Sequence, residues 1–255
     1  FSPGETMASV AAFPQAWDVL LLTTVLSAVG IGAFMSTEVG QSAFVDQQVA
    51  SRESFGMTVS AADYAGLQRL AGQMGVIQAV TVLFFGPLMT ALIAGILYGA
   101  FVVMGGEARY KQVFAVVTHA GIISLLQAAF TLPVNYQRQS LSSATNLSVF
   151  FPDLPDGSFL ASVLGFIDLF WIWYLVVLAI GLGAVYRRRW TSIAGGLFIV
   201  YVIIGLVIAA VKAALGGSSE LPSCWPSWPA WPTPISRSAS RPARKSRWRP
   251  SRPVT

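Results

Sequence analysis

Apolar residues along this chain fall into five long runs separated by polar or charged segments. A helix rises about 1.5 Å per residue, so a hydrocarbon layer about 30 Å thick takes about 20 apolar residues to cross. The runs at residues 17–35, 74–104, 113–132, 159–186 and 193–215 meet or approach that length and predict five transmembrane helices. The second is long enough to tilt or protrude. Pro133 is expected to stop the third, Arg187, Arg188 and Arg189 the fourth, and Gly216 with Gly217 the fifth. The predicted fold class is all-α, a polytopic integral membrane protein.

Shorter patterns lie between the runs. Residues 1–16 read as an interfacial helix, with Pro3 near its start, Glu5 where a helix N-terminus favours negative charge, and Pro14 at its end. Met7, Val10 and Phe13 are expected on its apolar face. Residues 42–50 and 60–73 predict two short helices, the second with Ser60 as N-cap and Leu67 and Leu70 at helical spacing. Residues 134–158, rich in Ser, Asn, Asp and Pro, read as a loop in which Phe150 and Phe151 touch the interface. Asn146-Leu147-Ser148 matches a glycosylation sequon, a pattern too short to carry weight.

Charge then orients the spans. Segments 36–73 and 133–158 are predominantly acidic, whereas the 105–112 loop carries Arg109 and Lys111 against Glu107, and the fourth run ends on three arginines. Short basic loops mark the cytoplasmic side. This places the N-terminus, 105–112 and 187–192 inside, and 36–73, 133–158 and the end of the fifth helix outside.

Composition narrows the class further. Of 255 residues 55% are hydrophobic and 11% charged, with mean hydropathy +0.64, whereas a soluble domain carries about 25% charged residues. The net charge of +5 divides unevenly: residues 1–215 hold nine Lys/Arg against ten Asp/Glu, net −1, and residues 216–255 hold seven against Glu220, net +6. The membrane body therefore offers no basic surface for a nucleic acid. One cysteine, Cys224, and one histidine, His119, exclude an internal disulfide framework, a zinc site, a Cys/His dyad and multi-histidine haem ligation. No phosphate-cradling glycine motif is present, and no cofactor is expected. The chain opens on Phe1, in a stretch too polar for a signal peptide, so a natural N-terminus upstream is expected.

Polar side chains within the apolar runs are the candidates for chemistry, since each is costly in lipid unless paired. Asp168 falls near the middle of the fourth run and His119 a third of the way through the third. Together they are a potential proton-relay or substrate-binding pair. The structural alternative is an interhelical hydrogen bond, or a carboxylate held by neighbouring hydroxyls and backbone, and the lack of a second acid or a basic partner in the span favours it. Gln78 and Gln127 are expected to orient helices by hydrogen bonding. Pro87 predicts a kink in the second helix. Small residues at four-residue spacing, Ala91, Gly95 and Gly99 in the second run and Gly205, Ala209 and Ala213 in the fifth, predict close helix packing, internal rather than between copies.

Three stretches carry a family resemblance. The opening run F-S-P-G-E-T-M-A-S-V with Pro14 and Trp17, the loop from Arg109 to Val117 (RYKQVFAVV), and the run Ile167 to Leu175 (IDLFWIWYL) followed by Leu178 to Leu182 (LAIGL) resemble the Yip-one domain family of Ypt-interacting proteins. The last matches that family's fourth-span pattern, Asp-x-Phe-x-x-Trp-x-Leu running into Ile-Gly, at Asp168 and Trp173; His119 is not matched to the pattern. The resemblance covers about residues 1–215. It implies a helical membrane domain with a cytoplasmic N-terminus. Eukaryotic relatives associate with Rab-type GTPases and transport-vesicle membranes, and prokaryotic relatives have no settled activity.

Residues 216–255 hold eight of the fourteen prolines and four of the eight tryptophans and predict a disordered tail. Three readings compete: a basic tail for anionic lipid or nucleic acid, a Pro-rich linker, or an out-of-frame translation. A basic run on the outer face contradicts the positive-inside pattern. Moreover, each Trp-Pro pair (225–226, 228–229, 231–232) becomes Leu, Met or Val followed by Ala when read one base upstream. The expected function is a non-enzymatic, membrane-organising or partner-binding component of a bacterial inner membrane, with the bilayer, a second copy, or an export-system ATPase or adaptor as partner. The alternative is a permease-like or accessory subunit of an export system.

Overall fold

The computed structural model describes residues 2–54, 56–151, 153–154 and 158–215. The tail at 216–255, with its predicted disorder and frameshift, lies outside the described residues, as does the side chain of Ala213. The chain runs α1 (Pro3–Ala12), α2 (Trp17–Met35), α3 (Glu38–Ser54), α4 (Ala61–Ala71), α5 (Met74–Val103), α6 (Tyr110–Ala120) and α7 (Ile122–Arg138). A 3-10 turn at Leu147–Phe150 follows, then α8 (Phe159–Phe166), α9 (Leu169–Tyr186) and α10 (Trp190–Leu215). The fold is all-α, and among the described residues five helical segments are long and apolar enough to cross a membrane: Trp17–Met35, Met74–Val103, Tyr110–Arg138, Leu169–Tyr186 and Trp190–Val211.

Two predicted boundaries move. Pro133 does not end the third span: α6 and α7 form one rod through a tightened turn at Gly121, and the helix passes Pro133 to stop at Gln139, whose φ of 51° is left-handed. Pro removes one backbone bond, which the rest of a long helix tolerates. The fourth run is not one helix. It breaks at Ile167 and Asp168, both extended, so that α8 is a short helix capped by Ser158 and α9 alone is the span. Eighteen residues of α9 rise about 27 Å, close to a full hydrocarbon thickness.

Helix approaches are set by missing side chains. Gly32 and Gly75 bring α2 and α5 together: a β-carbon on Gly32 would sit 2.9 Å from Ala79 Cβ, and one on Gly75 2.0 Å from Ser36 Oγ. Phe166 of α8 fills the space above Gly205 of α10, where a β-carbon would lie 2.4 Å from Cδ1 of the ring. Ala209, one turn further along, is 1% exposed. In contrast, Gly95 and Gly99 have nothing within 4 Å of their β-carbon positions. Those two positions of the α5 stripe face open space, and the buried face of α5 there is the one carrying Ala94 and Phe101. α5 itself is unbroken across Pro87, where Thr90 Oγ1 donates to the Gly86 carbonyl at 3.0 Å.

The main core joins α1, α5, α6, α9 and α10 around Val113, Val116, Leu178 and Leu182. α1 is seated in it by Met7, Val10 and Ala11, while Phe13 is 76% exposed. The helix ends at Ala12, so the three-residue spacing that put Phe13 on the buried face no longer holds there. A second cluster on the opposite side packs α2, α3 and α4 through Phe34, Met35, Phe44 and Leu67. Ser60 caps α4 in a reciprocal box: Asp63 N–H donates to Ser60 Oγ at 3.2 Å, and Ser60 N–H donates to Asp63 Oδ2 at 3.1 Å.

Candidate functional site

Asp168 occupies the break between α8 and α9. Its Oδ1 accepts the N–H groups of Phe170 (2.8 Å) and Trp171 (3.3 Å), which makes it the N-cap of α9. Its Oδ2 accepts the hydroxyls of Ser143 (3.0 Å) and Thr145. The 143–148 segment reaches the break because its backbone bridges there: Leu147 N–H donates to the Ile167 carbonyl at 3.0 Å, and Leu169 N–H donates to the Thr145 carbonyl at 3.1 Å. Extended backbone in an apolar environment persists only where its polar groups are satisfied within the protein. Here one carboxylate and one two-residue bridge satisfy both sides of the break.

Counted along α9 from Arg187, Asp168 lies about 28 Å away, near the far boundary of the hydrocarbon and not at its middle. Asn146 is buried beside it, its amide donating to the Gly165 carbonyl at 3.2 Å and its Oδ1 accepting from Ser148 Oγ at 2.7 Å. The sequon asparagine is thereby occupied in structure. Tyr201 of α10 donates to the Phe166 carbonyl, closing the end of α8. Ser143, Gln127, Gly165, Phe166, Asp168, Trp171, Tyr201 and Ile204 line a cavity of about 520 Å³.

Asp168 and His119 are not brought together. The His119 ring shares a hydrogen bond with the carbonyl of Ala115 on its own helix, Nδ1 to O 2.8 Å, and Asp168 takes all four of its bonds from the groups named above. Gln78 is half-buried on α5, and Gln127 is half-buried at the rim of the Asp168 cavity. Among the described residues no cluster of His, Cys, Asp and Glu could hold a metal ion.

The other end of the bundle gathers the basic residues. Arg109 precedes α6, and its N–H donates to Gln112 Oε1 at 3.0 Å. Gln112 Nε2 in turn donates to the Ala11 carbonyl at 3.0 Å, fastening α1 to α6. Arg187, with φ of 51°, ends α9, and Arg188 Nη2 donates to the Met104 carbonyl at 3.3 Å, which brings the 187–189 turn against the turn after α5. Trp17, Asp18, Ala91, Tyr110, Lys111 and Phe114 line a cleft of about 650 Å³ with the 14–16 linker. Trp17 and Tyr110 each pack on Phe114, ring centroids 6.0 and 5.9 Å apart, and the Tyr110 hydroxyl donates to the Ala91 carbonyl at 3.0 Å. Sequence reasoning missed this cleft. Only the spacing of Tyr110 and Phe114 on one helix face hinted at it.

The helical fold agrees with what comparison shows. The Yip1 domain model matches residues 1–211, every described helix except the last few residues of α10. The chain belongs to the Yip1 domain family. It is 29% identical to the membrane protein YknW of Bacillus subtilis (strain 168) over 229 residues, covering 84% of this chain and 90% of that protein. No solved structure matches the chain. Both ends of the bundle lie within the matched region: the α1 segment, Arg109 to Val117, and the Asp168 cap. The chain is thus a helical membrane protein of the Yip1 family, with apolar spans in contact with lipid.

Proposed function

We propose that this Yip1-family chain is a non-enzymatic, partner-binding component of a bacterial inner membrane, and that the partner engages its basic end. The observation that carries the reading is the aromatic cleft of Trp17, Tyr110 and Phe114, with Asp18 and Lys111 in its lining and Arg109 next in the chain to Tyr110. Aromatic residues around a recess are among the anchors that interfaces use most, with arginine enriched beside them. The positive-inside rule puts this end, with α1, in the cytoplasm. A non-enzymatic role is supported by the engagement of Asp168 and His119 in separate structural hydrogen bonds, so that this acid and this base do not pair.

The reading as an export accessory assigns transport to Asp168 and to a hinge at Pro87. Asp168 serves as a helix cap and α5 continues as one helix past Pro87, so neither feature favours it. Purification in mild detergent of the wild type beside an Arg187→Ala/Arg189→Ala/Lys111→Ala variant tests the proposal. Recovery of the same protein from the wild type and its loss from the folded variant supports it. Identical recovery from both contradicts it. Whether that protein is a second copy, a GTPase, or an ATPase or adaptor decides between organising, trafficking and export roles.

A further inference from the structure

We propose that the cavity beside Asp168, at the end opposite the partner cleft, holds the ammonium headgroup of a membrane lipid. The first observation is an unbalanced charge. Asp168 is 5% exposed, and its four hydrogen-bond donors, Ser143, Thr145 and the amides of Phe170 and Trp171, are all neutral. These bonds occupy its lone pairs, and the N-terminus of α9 offsets about half a charge. The remainder is a buried negative charge, which is costly without a cation close by.

The second observation is what surrounds the charge. Phe166, Trp171 and Tyr201 line the same cavity. Aromatic rings attract cations through their quadrupoles and suit organic ammonium groups, whose CH surface they also cover. A bare metal ion needs several free oxygen ligands, whereas the oxygens of Asp168 are already taken and no metal-holding cluster exists among the described residues. Gln127 adds a side-chain amide at the rim with no hydrogen-bond partner among the described residues, a donor suited to the phosphate of the same headgroup.

Position selects lipid over a soluble amine. The cavity lies near a hydrocarbon boundary, where headgroups reside, and its wall continues into lipid-facing apolar residues: Ile204 is 48% exposed, Leu169 67% and Ile208 41%. Those side chains offer a bed for acyl chains that free ethanolamine would not use. The volume of about 520 Å³ accommodates a headgroup.

Native mass spectrometry of the full chain in detergent tests the assignment, with phosphatidylethanolamine, phosphatidylglycerol and N-acetylated phosphatidylethanolamine as probes. The wild type is expected to bind the first about tenfold more tightly than the other two. Trp171→Leu, which keeps the backbone amide that bonds Asp168, is expected to erase that preference, as is Asp168→Asn. If Asp168→Asn does not fold, Trp171→Leu decides. Equal binding of the three lipids, or a preference untouched by Trp171→Leu, overturns the proposal. Free ethanolamine competing at the concentration of the lipid overturns the lipid source.

Discussion

Ser143 Oγ donates to Asp168 Oδ2 at 3.0 Å, tying a loop to the first turn of a spanning helix 25 residues later in the chain. With Thr145 on the same oxygen and two backbone amides on the other, the carboxylate holds two segments at once, the 143–148 loop and the start of α9. Truncation at this position removes both a cap and the acceptor of buried donors. Asp168→Ala is expected to lower stability by about 2–4 kcal/mol. Asp168→Asn, which retains a capping oxygen, should lose less. Thermal unfolding in detergent measures both, and an Asp168→Ala protein as stable as the wild type would refute the structural role.

The two small-residue stripes should respond in opposite ways. Gly205→Val drives a side chain into the Phe166 ring and is expected to cost about 1–3 kcal/mol, partly restored by Phe166→Ala in the same chain. Gly95→Val meets open space and should leave the melting of the isolated chain nearly unchanged. Equal destabilisation by the two valines would mean that α5 packs differently from the arrangement described.

α1 is held by one side-chain hydrogen bond and by a close approach at Gly181, where a β-carbon would lie 2.4 Å from Val116 Cγ1 and 3.3 Å from Met7 Sδ. Gly181→Leu combined with Gln112→Ala is expected to release it. In a Cys224→Ser background, Met7→Cys should resist a thiol reagent in the otherwise native chain and react readily in the released one. Fast labelling in both would show that α1 does not dock.

Outside the spans, the α4 cap is pH-sensitive. The Ser60 hydroxyl and then its N–H hold the Asp63 carboxyl below the usual carboxylate range, with Arg52 adding to the effect. A depressed folded-state pKa contributes stability above the unfolded carboxylate pKa and loses it as pH falls through the folded value. Hydrogen exchange at the first turn of α4 should therefore accelerate, beyond its intrinsic pH dependence, as pH falls below the carboxylate range. Asp63→Asn should remove the excess, and an excess that persists in that variant would assign it elsewhere.

Much of this was readable from residues alone, for identifiable reasons. Runs of about 20 apolar residues are forced by bilayer thickness, and the Ser60 cap is written in a local Ser-x-x-Asp spacing. The break at Asp168 was not legible. In G-F-I-D-L-F-W one polar residue sits amid apolar ones, as it would in a continuous helix, and its partners Ser143 and Thr145 are distant in sequence. The excess length of the fourth run and the capping preference of Asp were the available signals. The Gly32–Gly75 approach is not specified by the sequence, although Ala28, Gly32 and Ser36 share the four-residue spacing of the α5 and α10 stripes. Such a stripe shows that a helix can approach another, and not which one.

The proposal that a partner engages the basic end is tested most directly by photo-crosslinking in living cells. A photoreactive side chain in place of Lys111, at the rim of the aromatic cleft, is compared with one in place of Val149 at the opposite end. The expected result is a discrete adduct to a second protein chain from position 111, weakened by Trp17→Ala, and none from position 149. An adduct from 149 alone, or one from 111 that Trp17→Ala leaves unchanged, would contradict it.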